Sequence, residues 1–400
     1  MSNLESAIRP RREQHGFSLI EIMIGLVIGL IAVLVIYQIY TVSEGFKRNT
    51  TAAGEAQMNG LFSTFVLGME LSNGGAAMAV SAADLASCVD TGNIATSFRP
   101  IPVLITDGGG DSSPDSFVVN YSMATTLAGT AMFNADAAAG AKYEIQSSGG
   151  FHIGDLIVGI ANPAGTNGNC ASSKVTQVDP VTVPPTCDPN DPNKAGNCLA
   201  NVTITHTGTG ISFTGTGLPG SSTLFNMGPA DRAQKIRYSV NNGVLYSTPL
   251  LDSNGAPAAL PGNPLASNIV NMKVEYGIDN DLDQLGLLDT WVQATAGAGW
   301  DPAAMLPASL TKINQVKAIR IGIIVQSEQF DKNLAGFTGG DYVNGAYNWV
   351  LFDCADAVKA NCPGRLTGTV AASVSPPGNW RFRKYETVIP LRNEIWNKAS

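Results

Sequence analysis

The chain has 400 residues, 14% of them charged, with 43 glycines, 22 prolines, six cysteines and a formal net charge of −8. Sparse Lys and Arg on an acidic chain exclude nucleic acid as the main partner, because phosphate contacts need basic clusters. A composition poor in Lys, Glu and Leu and rich in Gly, Ala, Ser, Thr and Asn excludes a long soluble helical bundle and suits a turn-rich β protein.

A polar leader, Met1 to Gly16, carries Arg9, Arg11 and Arg12. Behind it the stretch Ile22–Val42 holds no charged side chain and is dominated by Leu, Ile and Val. A helix of that length spans about 30 Å, the thickness of bilayer hydrocarbon. Glu21 sits at its front, and an acid so close to hydrocarbon implies a partner. No small-residue cleavage site follows the apolar run, as a Sec-type signal peptide requires; the small residue, Gly16, lies in front of it. Arginines ahead of the run keep the leader cytoplasmic and send the large C-terminal portion outward.

No proline occurs between Pro10 and Pro100, and the helical pattern predicts one helix from Phe17 to Leu71. Its second half carries Val42, Phe46, Ala53, Leu61, Phe62, Phe65, Val66 and Met69 at helical spacing, with Glu44, Lys47, Arg48 and Glu55 between them. That half is expected to be amphipathic and to pack this apolar face on the outer domain. Asn73-Gly74-Gly75 ends the helix. The domains expected are therefore a leader (1–16), a long helix (17–71, with a membrane-spanning half 17–42) and a β-rich globular part (72–400).

Turn clusters then alternate with strand-like segments. Strands are predicted at Ser116–Tyr121, Tyr143–Gln146, Asp155–Ile160, Lys174–Val178, Asn201–Thr205, Lys235–Val240, Val244–Ser247, Val316–Val325 and Arg383–Leu391. Asn241-Asn242-Gly243 marks a hairpin. Val270, Met272, Val274, Tyr276 and Ile278 alternate with polar residues, as in a strand with one buried face. The Pro- and Asn-rich stretch 182–197 and the glycine-rich segments 108–110, 215–220 and 336–345 are expected as surface loops. The fold class expected is α+β, a long helix on a large antiparallel β domain with disulfide-clipped loops.

Six cysteines on the outward side predict disulfides rather than thiols. Cys187 with Cys198 and Cys354 with Cys362 are the close pairs, which leaves Cys88 with Cys170. No catalytic constellation emerges, so no enzyme is expected: His152 and His206 are isolated, and His15 leaves with the leader. Gly215-Thr216-Gly217-Leu218-Pro219-Gly220 fits a dinucleotide motif by letter, but Pro219 stands where the phosphate-binding helix should begin. Asp279, Asp281 and Asp283, with Asp289, form an acidic turn that either holds Ca²⁺ or is simply solvated. Gln284 and Thr290 depart from the EF-hand pattern at its glycine and glutamate positions. No other cofactor is expected.

Gly16-Phe17-Ser18-Leu19-Ile20-Glu21 resembles the processing site of type IV prepilins and pseudopilins. The resemblance implies cleavage after Gly16 by a membrane peptidase, methylation of the new amino terminus at Phe17, and a role for Glu21 in setting register against a neighbour's amino terminus. Three later segments extend it toward the PilW-type minor pilins: Val270–Asp279 with Asp289-Thr290-Trp291, Val316–Ile321, and Thr387–Asn393. By that resemblance the chain is a minor pilin that rests in the inner membrane with its outer part in the periplasm. It would prime filament assembly with other minor and major pilins, and then reside at a pilus tip on the cell surface. A minor pseudopilin of type II secretion and a tip adhesion module are the alternatives.

Overall fold

The computed structural model describes residues 16–76, 101–123, 130–133, 142–146, 150–160, 170–179, 202–207, 223–253, 255, 258–280, 288–305, 310–329, 338–343, 346–356, 358–370 and 380–391. The chain divides into two compact units, Met1–Ala53 and Gly54–Ser400.

Helix α1 runs from Leu19 to Asn73. Its start is written in Ser18-Leu19-Ile20-Glu21: the Ser18 carbonyl accepts from the amides of Glu21 and Ile22 at 3.0 and 3.2 Å. The Glu21 carboxylate in turn accepts from the Ser18 amide at 3.0 Å. This is the return arm of a capping box, satisfying a donor that the helix itself leaves orphaned. At the far end Gly75 takes a φ of 77°, and its amide donates to Asn120 O at 2.9 Å, so the chain turns directly into the sheet.

Among the described residues eighteen strands form four sheets, and all of their pairings are antiparallel. The first sheet is ordered β1 (Val103–Thr106), β2 (Ser116–Ser122), β9 (Ala233–Asn241), β10 (Val244–Pro249) and β11 (Asn263–Ser267). The β9–β10 turn puts Asn242 and Gly243 at φ 48° and 76°, the two positive φ values that a tight hairpin requires and Asn-Gly supplies. The second sheet is β13 (Thr290–Gln293), β12 (Ile269–Ile278), β14 (Val316–Gln326) and β18 (Phe382–Pro390). A third consists of β15 (Tyr342–Val343), β16 (Ala346–Leu351) and β17 (Leu366–Val370). Two short helices, α2 (Pro302–Met305) and α3 (Leu310–Asn314), precede β14.

The main core gathers Ala56, Leu67 and Leu71 of α1 with side chains of the first two sheets, among them Phe117, Val119, Tyr238, Met272, Tyr276, Ile321 and Ile389. The Tyr121 hydroxyl donates to Glu70 Oε2 at 2.7 Å and ties the helix to the sheet.

Strand β12 departs from its expected pattern. Met272, Val274 and Tyr276 face the core as predicted, yet Asn271, Lys273 and Glu275 between them are buried too. Their face is covered on one side by the loop 107–115 and on the other by the third sheet, where Leu351 lies over Gly322. The glycine-rich segment 336–345 also contributes strand β15.

The remaining strands are β3 (Thr130–Met132), β4 (Lys142–Ile145), β5 (Asp155–Ile160), β6 (Cys170–Val178), β7 (Val202–His206) and β8 (Thr223–Pro229). Their order is β3-β8-β5-β6-β7-β4. The two ends of that row also meet, through a bridge between Phe133 and Ile145 and an amide of Gln146 donating to Met132 O at 3.0 Å.

Candidate functional site

The segment that sequence singles out lies at the start of α1. Gly16 and Phe17 precede the helix, and Phe17 and the large apolar side chains from Leu19 to Val42 are exposed. Glu21 is not pointing into solvent unengaged: it caps its own helix. The signal for that cap is the Ser-x-x-Glu spacing of Ser18 and Glu21 in the sequence.

Farther along, α1 carries two apolar faces. Ala56, Gly60, Ser63, Leu67 and Leu71 are buried against the sheets. Small residues dominate here because the approach is close: a Cβ on Gly60 would run into the Tyr385 ring, and the Ser63 hydroxyl returns to Asn59 O at 2.7 Å. Met58, Leu61, Phe62, Phe65 and Met69 follow the i, i+3, i+4, i+7 pattern on the opposite side, and all are exposed. Phe65 is 69% exposed, whereas Leu67 is 0% exposed. The expectation that Leu61, Phe62, Phe65 and Met69 would pack on the outer domain is therefore corrected. The strongest hydrophobic stripe faces away from the sheets, and the weaker, small-residue stripe packs.

Two buried ion pairs organise the face of β12 turned away from the main core. Lys273 is 2% exposed, and its Nζ donates to Asp115 Oδ1 at 2.8 Å and Gly110 O at 2.7 Å. Asp115 also accepts from the amides of Val274 and Gly108 at 2.9 and 3.0 Å, so the loop 107–115 is clamped on the strand. Two residues along the strand, Arg320 Nε donates to Glu275 Oε2 at 2.7 Å, and Glu275 is 0% exposed. The guanidinium lies 4.6 Å from the Trp291 ring and 4.2 Å from Phe352. It donates as well to Pro363 O at 2.8 Å, directly behind the Cys354–Cys362 disulfide, whose Cα atoms are 5.5 Å apart. Arg320 thus holds both ends of that clipped loop. The alternating pattern of β12 places Lys273 and Glu275 among its polar residues, and Arg320 stands out only as part of its strand; the covering elements reveal all three as buried.

Burial pushes the Glu275 carboxyl up, to about 7 from an ordinary 4.5, although Arg320 pulls the other way. Burial likewise raises Asp115 against the lowering effect of Lys273. A carboxyl whose folded value lies above its unfolded one contributes stability in full below about 4.5, and loses it as pH rises through about 7. The unit carrying β12 should lose on the order of 3 kcal/mol across that window, and Glu275→Gln should flatten the slope. Urea midpoints followed by tryptophan fluorescence at several pH values test this; a wild-type slope identical to that of the variant would refute it.

The other sequence candidates are dispersed. His152 is exposed beside Asp155, at 3.7 Å. His206 is buried and stacked on Tyr143 with ring centroids 4.0 Å apart, and burial lowers its pKa. Asp279 is buried at the end of β12, and Asp289 accepts from the Asn280 amide at 2.7 Å; Asp281 and Asp283 lie outside the described residues. Among the described residues no group of three or more His, Cys, Asp or Glu is placed to hold a metal ion. Cys88, Cys187 and Cys198 and the side chain of Cys170 fall outside the description, as do the segments 182–197 and 215–220.

Residues 237–393 match the family model described as type IV pilus-assembly protein W, and residues 11–37 match the prokaryotic N-terminal methylation motif. No curated protein and no solved structure matches the chain.

Proposed function

Because this chain is a type IV prepilin-like protein of the PilW type, a membrane-anchored, pilus-associated minor pilin, we propose that it works in priming the filament within a complex of other minor pilins at the tip. The observation that carries this reading is the second apolar face of α1. Hydrocarbon about 30 Å thick is already filled by the apolar residues up to Val42. Met58, Leu61, Phe62, Phe65 and Met69 are therefore a hydrophobic stripe that lipid does not cover, and a stripe of this kind fits a helix of another subunit. The bulk of the outer unit favours a low-copy tip position over repeated packing along a shaft.

On this reading the membrane peptidase cuts after Gly16, and Phe17 becomes the amino terminus. Glu21 then leaves its own cap and pairs with the Phe17 amine of a neighbour, which fixes axial register inside an apolar bundle. Glu21→Ala is expected to insert in the membrane normally and to enter filaments about 10–100-fold less, the worth of one charge-assisted hydrogen bond. Immunoblotting of sheared filaments against membranes measures it, and incorporation at the wild-type level would end the register claim.

A further inference from the structure

We infer that residues 123–232 form an independently folding β-barrel, spliced into a hairpin of the pilin sheet, and that filament assembly does not require it. The splice is visible in the pairing. Strands β2 and β9 are neighbours in the first sheet, with Ser122 opposite Ala233, and the Met123 amide donates to Arg232 O at 3.0 Å. The chain leaves the sheet at Met123 and returns at Arg232 to adjacent backbone positions. The hairpin that holds them would close without anything between.

Among the described residues between them, the strands close on themselves. The six strands β3 to β8 form a row whose ends are joined by the Phe133–Ile145 bridge and the bond from Gln146 to Met132, so the sheet closes on itself. All six strands send side chains into one interior: Ala131 and Phe133, Tyr143 and Ile145, Ile157, Val175, Val202 and Ile204, and Leu224, with Phe151 at one end. That cluster is separate from the main core, which contains no residue of β3 to β8. One buried polar cluster is satisfied within the segment. Asn226 donates to Asp155 Oδ2 at 2.7 Å and to Gly150 O, and Asp155 accepts from the His152 amide at 2.8 Å.

The segment meets the rest of the unit along one outer face of β5 and β8, where Leu156, Val158, Phe225 and Met227 are buried: Leu156 and Ala230 lie against Gly255, and the Ser122 hydroxyl donates to Met227 O. None of the segments that carry the resemblance to prepilins, the leader, the start of α1 and the strands β12, β14 and β18, lies within the inserted segment. The match to the type IV pilus-assembly family also begins only at residue 237, after the segment ends.

The assembly half of this inference rests on the pilin reading, so the test has two arms. All five tryptophans (Trp291, Trp300, Trp349, Trp380 and Trp396) lie outside the segment, and tryptophan fluorescence therefore reports only on the remainder. In the full chain, Tyr143→Ala should raise amide exchange in β3 to β8 by about 100-fold or more, while the tryptophan-reported melting temperature moves by less than about 3 °C. A parallel fall of both would overturn independent folding. In the second arm Met123 is joined to Arg232 through Asn-Gly, the residues a two-residue hairpin turn prefers. This excised chain should be cleaved and enter filaments as the wild type does. If the wild type is incorporated and the excised chain is folded but absent, the inference fails; if neither is incorporated, the pilin reading fails instead.

Discussion

Arg320→Ala is expected to destabilise the unit that holds β12 and β14 by about 3–5 kcal/mol, read as a lower urea midpoint with unchanged slope. Two charges enter that interior together: Glu275 is 0% exposed and Arg320 is 7% exposed. Truncating the arginine leaves a carboxylate with no water and no cation, and its remedy is to take up a proton. The same truncation empties the slot between Trp291 and Phe352 and releases the carbonyl of Pro363. Arg320→Lys keeps the charge but loses the planar fork that serves Glu275 and Pro363 together, and should fall between the two. The double variant Arg320→Ala with Glu275→Ala should cost less than the sum of its parts, because no orphaned charge remains. A loss below about 1 kcal/mol for Arg320→Ala alone would mean that the pair is solvated after all.

Local signals in the sequence located the elements whose pattern is self-contained. The helix was legible from its proline-free run and the Asn73-Gly74-Gly75 stop, and the observed Leu19–Asn73 differs from expectation by two residues at each end. Strands such as Asp155–Ile160 and the turn at Asn242-Gly243 needed only their own residues to be found. Strand β8, Thr-Leu-Phe-Asn-Met-Gly-Pro, was missed because its first six residues are all buried and its letters do not alternate. Strand β16 does alternate, with Tyr347, Trp349 and Leu351 inward, but it follows glycine-rich chain that reads as loop. Barrel closure was out of reach, since β3 pairs with β8 and β4 with β7 across long separations that no local pattern encodes.

The site divides along the same line. Gly16, Phe17 and Glu21 stand out in the sequence because the motif they belong to lies in register along a few consecutive residues. The Cys354–Cys362 bond was found because the partners are close in sequence. Lys273, Glu275 and Arg320 were visible as letters but not as buried charges, because their cover comes from the loop 107–115 and from β16 and β17. The second half of α1 misled for a related reason. Hydrophobic periodicity finds the oilier face, and here the face that packs is the one thinned to Ala56, Gly60 and Ser63 for close approach.

That inversion makes opposite faces of one helix separable by mutation. Phe65→Asp puts a charge on a side chain that is 69% exposed, so folding of the isolated chain should change by no more than about 0.5 kcal/mol. Leu67→Asp, two residues on, buries an unpaired carboxylate in the main core and should unfold the unit. In the assembled state the expectation for Phe65→Asp reverses. A phenyl ring removed from water on a neighbouring helix contributes about 1.5–3 kcal/mol, and its replacement by a charge adds a desolvation cost of comparable size. Incorporation into filaments should therefore fall by at least about 100-fold. Phe65→Leu, which keeps the stripe apolar, should restore most of it. Melting curves of the purified chain beside immunoblots of sheared filaments separate the two effects. Should Phe65→Asp remain folded and still enter filaments normally, the exposed stripe is not the surface by which subunits meet.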